Sequence, residues 1–272
     1  MSAKPPGAGF GRRRGLVTGN DELGAYRVLR VADDGPAPAP GQFAMLASVE
    51  RWGAGEDERP HLARAFSIAR HRDGEAHYLL EDVGPGTRRL CELGAGEEVW
   101  VLGPLGKGFT APDQGLRAIL IGGGVGIAPL AILQDTLIAS GTEHTVLLGF
   151  RDAPRLPGAE LLRDARIASD DGSAGHHGLV TDLLLEELDS DPSATIYACG
   201  PAGMLEGVRA IAERAEVPAQ LALEAGMACG FGACYGCVVP RRGGGYLRVC
   251  VDGPVIDAAE LDHVEAHAGA PA

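Results

Sequence analysis

No stretch of this chain is both long and apolar enough to cross a bilayer. The longest uncharged apolar run, Ala118 to Leu133, is broken by Gly122, Gly123, Gly124, Gly126 and Pro129. It also falls short of the roughly 20 residues that a spanning helix needs. Positive charge is scarce: 24 Lys and Arg stand against 37 Asp and Glu, a net charge of −13. Such a field repels nucleic acid unless a local basic patch overrides it. The N-terminal segment does not read as a secretory signal, because Arg12, Arg13 and Arg14 are followed by Asn20, Asp21 and Glu22 where an apolar segment would be required. No internal repeat is present. These absences predict a cytoplasmic protein. In that reducing compartment disulfides are disfavoured, so the six cysteines Cys91, Cys199, Cys229, Cys234, Cys237 and Cys250 call for another role. The last four fall within 22 residues, which asks for a metal.

What is present is a globular composition: 272 residues, 45% of them hydrophobic, with 41 Gly and 18 Pro for tight turns. The length suits two domains and a small module. Residues 1–13 are rich in Gly, Pro and Arg without periodicity and read as a flexible leader. Over residues 14–112 short alternating runs (Ala25–Val31, Gln42–Val49, Ala63–Arg70, Ala76–Val83 and Glu97–Leu102) are separated by turn residues, the pattern of a small antiparallel barrel. Over 113–222 the texture changes to continuous apolar runs, Leu116–Ile121, Thr145–Phe150 and Ala194–Ala198, alternating with helical stretches at Pro129–Ser140, Gly178–Leu188 and Ala202–Ala215. Buried parallel strands between helices predict a doubly wound α/β domain. Residues 223–256 replace that pattern with Gly, Cys and aromatics, a module held by its ligand. Residues 257–272 read as a tail, and Val255 onward as a short helix fading out.

Three candidate sites follow in chain order. Arg64-Ala65-Phe66-Ser67 offers a guanidinium fork for a phosphate and a hydroxyl for a ring heteroatom, and Gly84-Pro85-Gly86-Thr87 offers donors to a pyrophosphate. An exposed strand Arg beside an ordinary turn would look the same. Gly122-Gly123-Gly124-Val125-Gly126-Ile127-Ala128-Pro129 lies between a predicted strand and a predicted helix, so its glycines let a pyrophosphate approach the backbone, and Pro129 suits a first helical turn. Cys199-Gly200-Pro201 stands at the carboxyl edge of the third strand, where ligands of such sheets bind, although a free Cys there is equally an ordinary buried residue. The strongest signal is Cys229-x4-Cys234-x2-Cys237 with Cys250 further on, the plant-type ferredoxin spacing for a [2Fe-2S] cluster. Structural zinc is the rival, and the x4 gap fits it less well.

A flavin-like site, a nucleotide site and a one-electron centre in one chain imply an electron conduit, since a flavin trades hydride with nicotinamide and single electrons with iron. On these motifs, together with Pro40–Phe43, Gly103–Gly106, Leu223–Ala228 and Cys250–Pro254, the chain resembles the ferredoxin reductase superfamily and, within it, the electron-transfer subunits of class B dihydroorotate dehydrogenases. The resemblance implies a barrel binding FAD through Arg64 to Ser67, Leu79, Leu80, Glu81, Gly86 and Thr87. It implies an NAD domain and a [2Fe-2S] module on Cys229, Cys234, Cys237 and Cys250. It also implies an FMN-containing catalytic subunit as partner, in a heterotetramer of pyrimidine biosynthesis. One departure is Ala65, where the family usually has Pro; the expected effect is a slightly less rigid strand. Two alternatives keep their place: a flavin and iron–sulfur subunit of another NAD(P)H-linked reductase, and a redox-inactive module stapled by zinc. Nucleotide preference stays open, since Arg151 and Arg155 suit a 2′-phosphate and Asp152 opposes one. No side chain presents itself as a base for taking a proton from carbon.

Overall fold

The structure, a computed structural model, describes residues 11–53 and 60–264. Six strands close the N-terminal barrel: β1 (Arg12–Leu23), β2 (Tyr26–Ala32), β3 (Phe43–Ser48), β4 (Arg64–Arg72), β5 (Glu75–Glu81) and β6 (Glu98–Leu105). Their order is β1-β2-β5-β4-β3-β6 and every pairing is antiparallel. Asp73 and Gly74 turn β4 into β5, both at positive φ (53° and 76°), the conformation that matches the twist of a two-residue hairpin. Leu29, Leu46, Tyr78, Leu80, Val99 and Val101 fill the interior. One helix, α1 (Pro85–Cys91), adds Leu90 to that core.

Two features depart from the sequence expectation here. The first strand begins at Arg12, so it takes in the last residues assigned to a flexible leader; residues 1–10 lie outside the described residues. Its inward positions are Gly15, Val17 and Gly19, and a Cβ on either glycine would run into Val31 or Arg30, so the strand carries almost no apolar signature. The Gly84–Thr87 segment is also more than a turn. Pro85 opens α1, and Thr87 Oγ1 accepts hydrogen bonds from the N–H groups of Val83 (2.9 Å) and Gly84 (3.0 Å).

After the barrel come β7 (Arg117–Gly123), α2 (Ala128–Ser140), β8 (His144–Phe150), β9 (Ala165–Ser169), β10 (His176–His177), α3 (Val180–Ser190), β11 (Ala194–Cys199), α4 (Ala202–Ala215), β12 (Ala219–Ala222), β13 (Val238–Pro240), β14 (Tyr246–Arg248) and β15 (Val255–Asp257). Seven of these strands form one sheet in the order β10-β9-β8-β7-β11-β12-β15, parallel except for β15. Both faces are covered, as period-two alternation shows. Ile119, Ile121 and Leu147 pack with α3 and α4 residues such as Leu184 and Val208, while Leu120, Val146 and Leu148 pack with Leu130 and Leu137 of α2. Removing one such side chain, as in Leu120→Ala, costs about 2–5 kcal/mol. Among the described residues no helix is long and apolar enough to cross a membrane.

The two folds are tied across their seam. Asp135 of α2 receives Arg70 and Arg72 (2.6 Å) from β4, and Arg70 also donates to the carbonyl of Leu161 (2.6 Å). The Ala25 N–H, at the β1–β2 turn, donates to the carbonyl of Pro154 at 2.7 Å.

The cysteine segment leaves the sheet after β12 and returns to it as β15, with β13 and β14 as a small hairpin between. The helix expected from Val255 is instead this edge strand followed by a single 3-10 turn at Ala258–Glu260, with Leu261 buried beneath it. What reads as tail is therefore docked on the sheet as far as the description runs, and residues 265–272 lie outside it. The interior of the module is Cys237, Val239, Leu247, Val249 and Cys250, continuous with Met45 and Leu105 of the barrel. Gly230, at φ 79°, lies so close to Met45 that a Cβ would meet its side chain at 2.6 Å.

Candidate functional site

One cleft of about 1000 Å3 runs between barrel and sheet. On the barrel side it is lined by Arg64, Ala65, Phe66 and Ser67 of β4, Leu79 and Glu81 of β5, and Gly86 and Thr87 of α1. On the sheet side it is lined by Gly123, Gly124 and Gly126 after β7 and by Gly200 and Pro201 after β11, at the carboxyl edge where ligands of parallel sheets sit. Both halves of the nucleotide reading thus face one space.

Four residues expected at the site lie outside this lining. Leu80 is fully buried in the barrel, because β5 alternates and its neighbours Leu79 and Glu81 take the cleft side. Gly122 lies beneath the loop, where a Cβ would meet Ile127, Leu130 and Leu148. Pro129 is buried in the first turn of α2. Cys199 is buried in the sheet core, where burial and then the nearby Glu224 carboxylate push its thiol well above the ordinary range. Its side chain packs as a small apolar group.

The glycines on the sheet side have a steric reason. A Cβ on Gly126 would stand 2.5 Å from the carbonyl oxygen of Cys199 and 2.6 Å from the Cα of Gly200, so the two loops touch backbone to backbone. Gly124 is at φ 55° with open space beside it, as a backbone turned toward a ligand requires. On the barrel side the half-buried Arg64 packs over Gly86, where a Cβ would meet its Nε at 2.7 Å. It donates to the carbonyl of Leu62 at 2.6 Å, and among the described residues no carboxylate pairs with it. The Thr87 hydroxyl is different: it is spent on holding residues 83–84 and also donates to the carbonyl of Gly84 at 3.0 Å.

Charge in the cleft is arranged across the seam. Arg155 is held by Asp152 at 2.5 Å and by Glu81 of the barrel at 2.6 Å. Burial works against its charge, but these two partners raise its pKa above the ordinary guanidinium value. An arginine clasped by two carboxylates has no free fork for a 2′-phosphate. Glu224 lines the cleft with its carboxyl open to the space yet surrounded by protein, and this desolvation raises its pKa. The sequence expectations omit it as a site residue. It lies at the carboxyl end of β12, a four-residue strand too short to stand out, so nothing marks it as a sheet-edge position.

The four cysteines come together as two pairs. Cys229 adjoins Cys234, and Cys237 adjoins Cys250, whose N–H donates to Cys237 Sγ at 3.4 Å. The Gly236 N–H donates to Cys234 Sγ, also at 3.4 Å. Burial would raise the Cys229 thiol, but N–H groups of Phe231, Cys234 and Ala233, with the Cys234 thiol, bring it down to about 6. Cys250 shifts upward, through burial and then the neighbouring Cys237 sulfur. Among the described residues no three His, Cys, Asp or Glu side chains converge as a single-ion site would need. Two thiol pairs backed by N–H groups suit two irons with two thiolates each.

Comparison with known proteins agrees with this geometry. Residues 224–262 match the iron–sulfur cluster binding domain of dihydroorotate dehydrogenase B, and residues 120–210 match the oxidoreductase NAD-binding domain. The probable dihydroorotate dehydrogenase B (NAD(+)) electron transfer subunit of Methanopyrus kandleri is 37% identical over 255 residues, covering 92% of this chain and 91% of that protein. The dihydroorotate dehydrogenase B electron transfer subunit of Bacillus caldolyticus is 39% identical over 232 residues, covering 82% and 86%. The chain belongs to this family of electron transfer subunits.

Cys229, Cys234, Cys237 and Cys250 all fall inside the matched iron–sulfur domain, and the Gly122–Pro129 loop inside the matched NAD-binding domain. A family of subunits also entails a catalytic partner. Among solved structures, an NADH-dependent reduced ferredoxin-NADP oxidoreductase is similar with a TM-score of 0.79 and 25% identity, covering 92% of this chain and 90% of that one. The ferredoxin reductase of carbazole 1,9a-dioxygenase shares the fold, with a TM-score of 0.65 at 22% identity over 78% of this chain and 68% of that one.

Proposed function

We propose that this chain couples dihydroorotate oxidation, carried out in an FMN-containing catalytic subunit, to the reduction of NAD. The supporting observation is the single cleft that faces the flavin-type strand Arg64–Ser67 toward the glycine loop Gly123–Gly126, beside a module with two thiol pairs. Arg64 would neutralise a flavin phosphate, while Ala65 to Ser67, Leu79 and Glu81 would shape the bed for FAD. Gly124, Gly126, Gly200 and Pro201 would admit the nicotinamide nucleotide. Cys229, Cys234, Cys237 and Cys250 would hold a [2Fe-2S] cluster. When bound, the flavin exchanges hydride with nicotinamide and single electrons with the iron centre. The protein's part is orientation and charge, which the seam contacts of Asp135 and Arg155 make rigid.

Arg155, engaged by Glu81 and Asp152, supports NAD over its 2′-phosphorylated form. The thiol-rich module suits the reducing cytoplasm. The assembly would hold two copies of each subunit, a heterotetramer whose mass reports its composition.

The chain alone, purified with one FAD and one cluster, is expected to oxidise NADH with an artificial acceptor and to leave dihydroorotate untouched. Addition of an FMN-containing dihydroorotate dehydrogenase subunit is expected to restore dihydroorotate-dependent NAD reduction. Dihydroorotate turnover by the chain alone, or stoichiometric zinc in place of iron, would overturn the proposal.

A further inference from the structure

From Glu224 to Asp252 the charged side chains are Glu224, Arg241, Arg242, Arg248 and Asp252, and the ligand-bearing stretch 225–240 has none. Arg241 and Arg242 turn away from that stretch. Arg241 pairs with Glu260 at 2.9 Å, and Arg242 pairs with Glu213 at 2.9 Å and Asp262 at 3.2 Å. Arg248 does the opposite. Its register partner on β13 is Val238, the residue after Cys237. Its guanidinium carbon is 5.5 Å from the centre of the Tyr235 ring, and its Nη1 is 3.4 Å from where a Cβ on Gly232 would stand. Behind it, Asp252 accepts a hydrogen bond from the Arg248 N–H at 2.8 Å and lies 3.4 Å from its Nε.

A cation is therefore held beside the ligand loop, over Tyr235 and close to Gly232, with one carboxylate behind it. Adding an electron to a thiolate-bound iron centre adds negative charge, and a fixed positive charge nearby stabilises that state. The side chain is 32% exposed, so water screens the effect only in part. Arg248 also steadies Tyr235, a non-glycine residue at φ 56° between two of the cysteines.

We propose that Arg248 raises the reduction potential of the cluster carried by Cys229, Cys234, Cys237 and Cys250, and that Asp252 moderates its charge. This rests on reading those four cysteines as cluster ligands. The test is a redox titration of the full chain, cluster loaded, followed by electron paramagnetic resonance of the reduced centre. Arg248→Gln should move the midpoint to a more negative potential, so that at the wild-type midpoint the oxidised form outnumbers the reduced severalfold. Arg248→Lys should stay near wild type, Asp252→Asn should move the midpoint the other way, and the flavin midpoint should hold in all three. A wild-type midpoint in Arg248→Gln, a flavin shift of equal size, or a negative shift in Asp252→Asn overturns the inference. Where Arg248→Gln takes up no cluster, the direction of the Asp252→Asn shift decides. A wild-type chain that binds no iron and sulfide overturns the ligand reading, and the inference with it.

Discussion

Every residue of β7 and β11 is buried, whereas in the cysteine module Phe231, Tyr235 and Tyr246 are 47%, 63% and 72% exposed. The sheet draws its stability from apolar side chains covered on both faces. The module has two three-residue strands, glycines at positive φ at 230, 232, 243, 244 and 245, and an interior of a few residues shared with the barrel. A unit that small needs a staple. The sheet side is organised by its own core, whereas on the proposed ligand reading the module would be organised by thiolate–metal bonds from its four cysteines.

Four experiments break or sharpen that contrast. The largest effect is expected from Cys234→Ser, which should abolish coupled dihydroorotate-dependent NAD reduction and open the module to proteolysis, while FAD stays bound and the sheet resists cleavage. A module as resistant as wild type without its cluster would erase the difference between the regions. Arg64→Ala comes next. Loss of a charge-assisted phosphate contact should weaken FAD binding by about 1.5–3 kcal/mol, measured by dialysis and absorbance, with the apo-protein melting as wild type does. Gly126→Ala forces a Cβ against backbone on β11's loop, so about 1–3 kcal/mol of strain should appear as weaker NADH binding in a fluorescence titration, with iron content unchanged.

The smallest effect concerns pH. Burial alone would raise the Asp135 carboxyl, but Arg72 and Arg70 reverse this and hold it below its ordinary value. A lowered folded-state pKa means that the contribution is complete above the unfolded value of about 3.9 and is lost as pH falls through the folded one. With Asp135 at 28% exposure it should be worth about 1 kcal/mol or less. Asp135→Asn should therefore lower the melting temperature slightly at neutral pH and leave it unchanged in strong acid.

The same contrast explains what could be read from the chain. Continuous runs such as Leu116–Ile121 and the Met204-Leu205-Val208-Ile211-Ala212 face of α4 announce the doubly wound domain, since a strand covered on both faces must be apolar throughout and a helix covering the sheet apolar along one stripe. The cysteine spacing announces the module. β1 stayed hidden because close packing demands glycine at its inward positions 15 and 19, and β12 because four residues make no pattern. The resemblance points to Leu80, the glycine-loop motif to Gly122 and Pro129, and the strand-end position to Cys199, yet strand alternation and core packing place all four outside the cleft lining. The Arg155–Glu81 pair joins residues far apart in sequence, and only the folded seam discloses it.

Ala222 and Val255 are register partners in the sheet, and the Leu223 N–H donates to the carbonyl of Pro254 at 2.9 Å, so the module's two ends meet. This has a consequence for synthesis on the ribosome. β12 is made before the cysteine loops and β15 after them, and until β15 arrives one side of β12 has unpaired backbone groups. The sheet is sealed only after all four cysteines have been made. Its final strand then closes like a latch over a loop whose four cysteines are already in place.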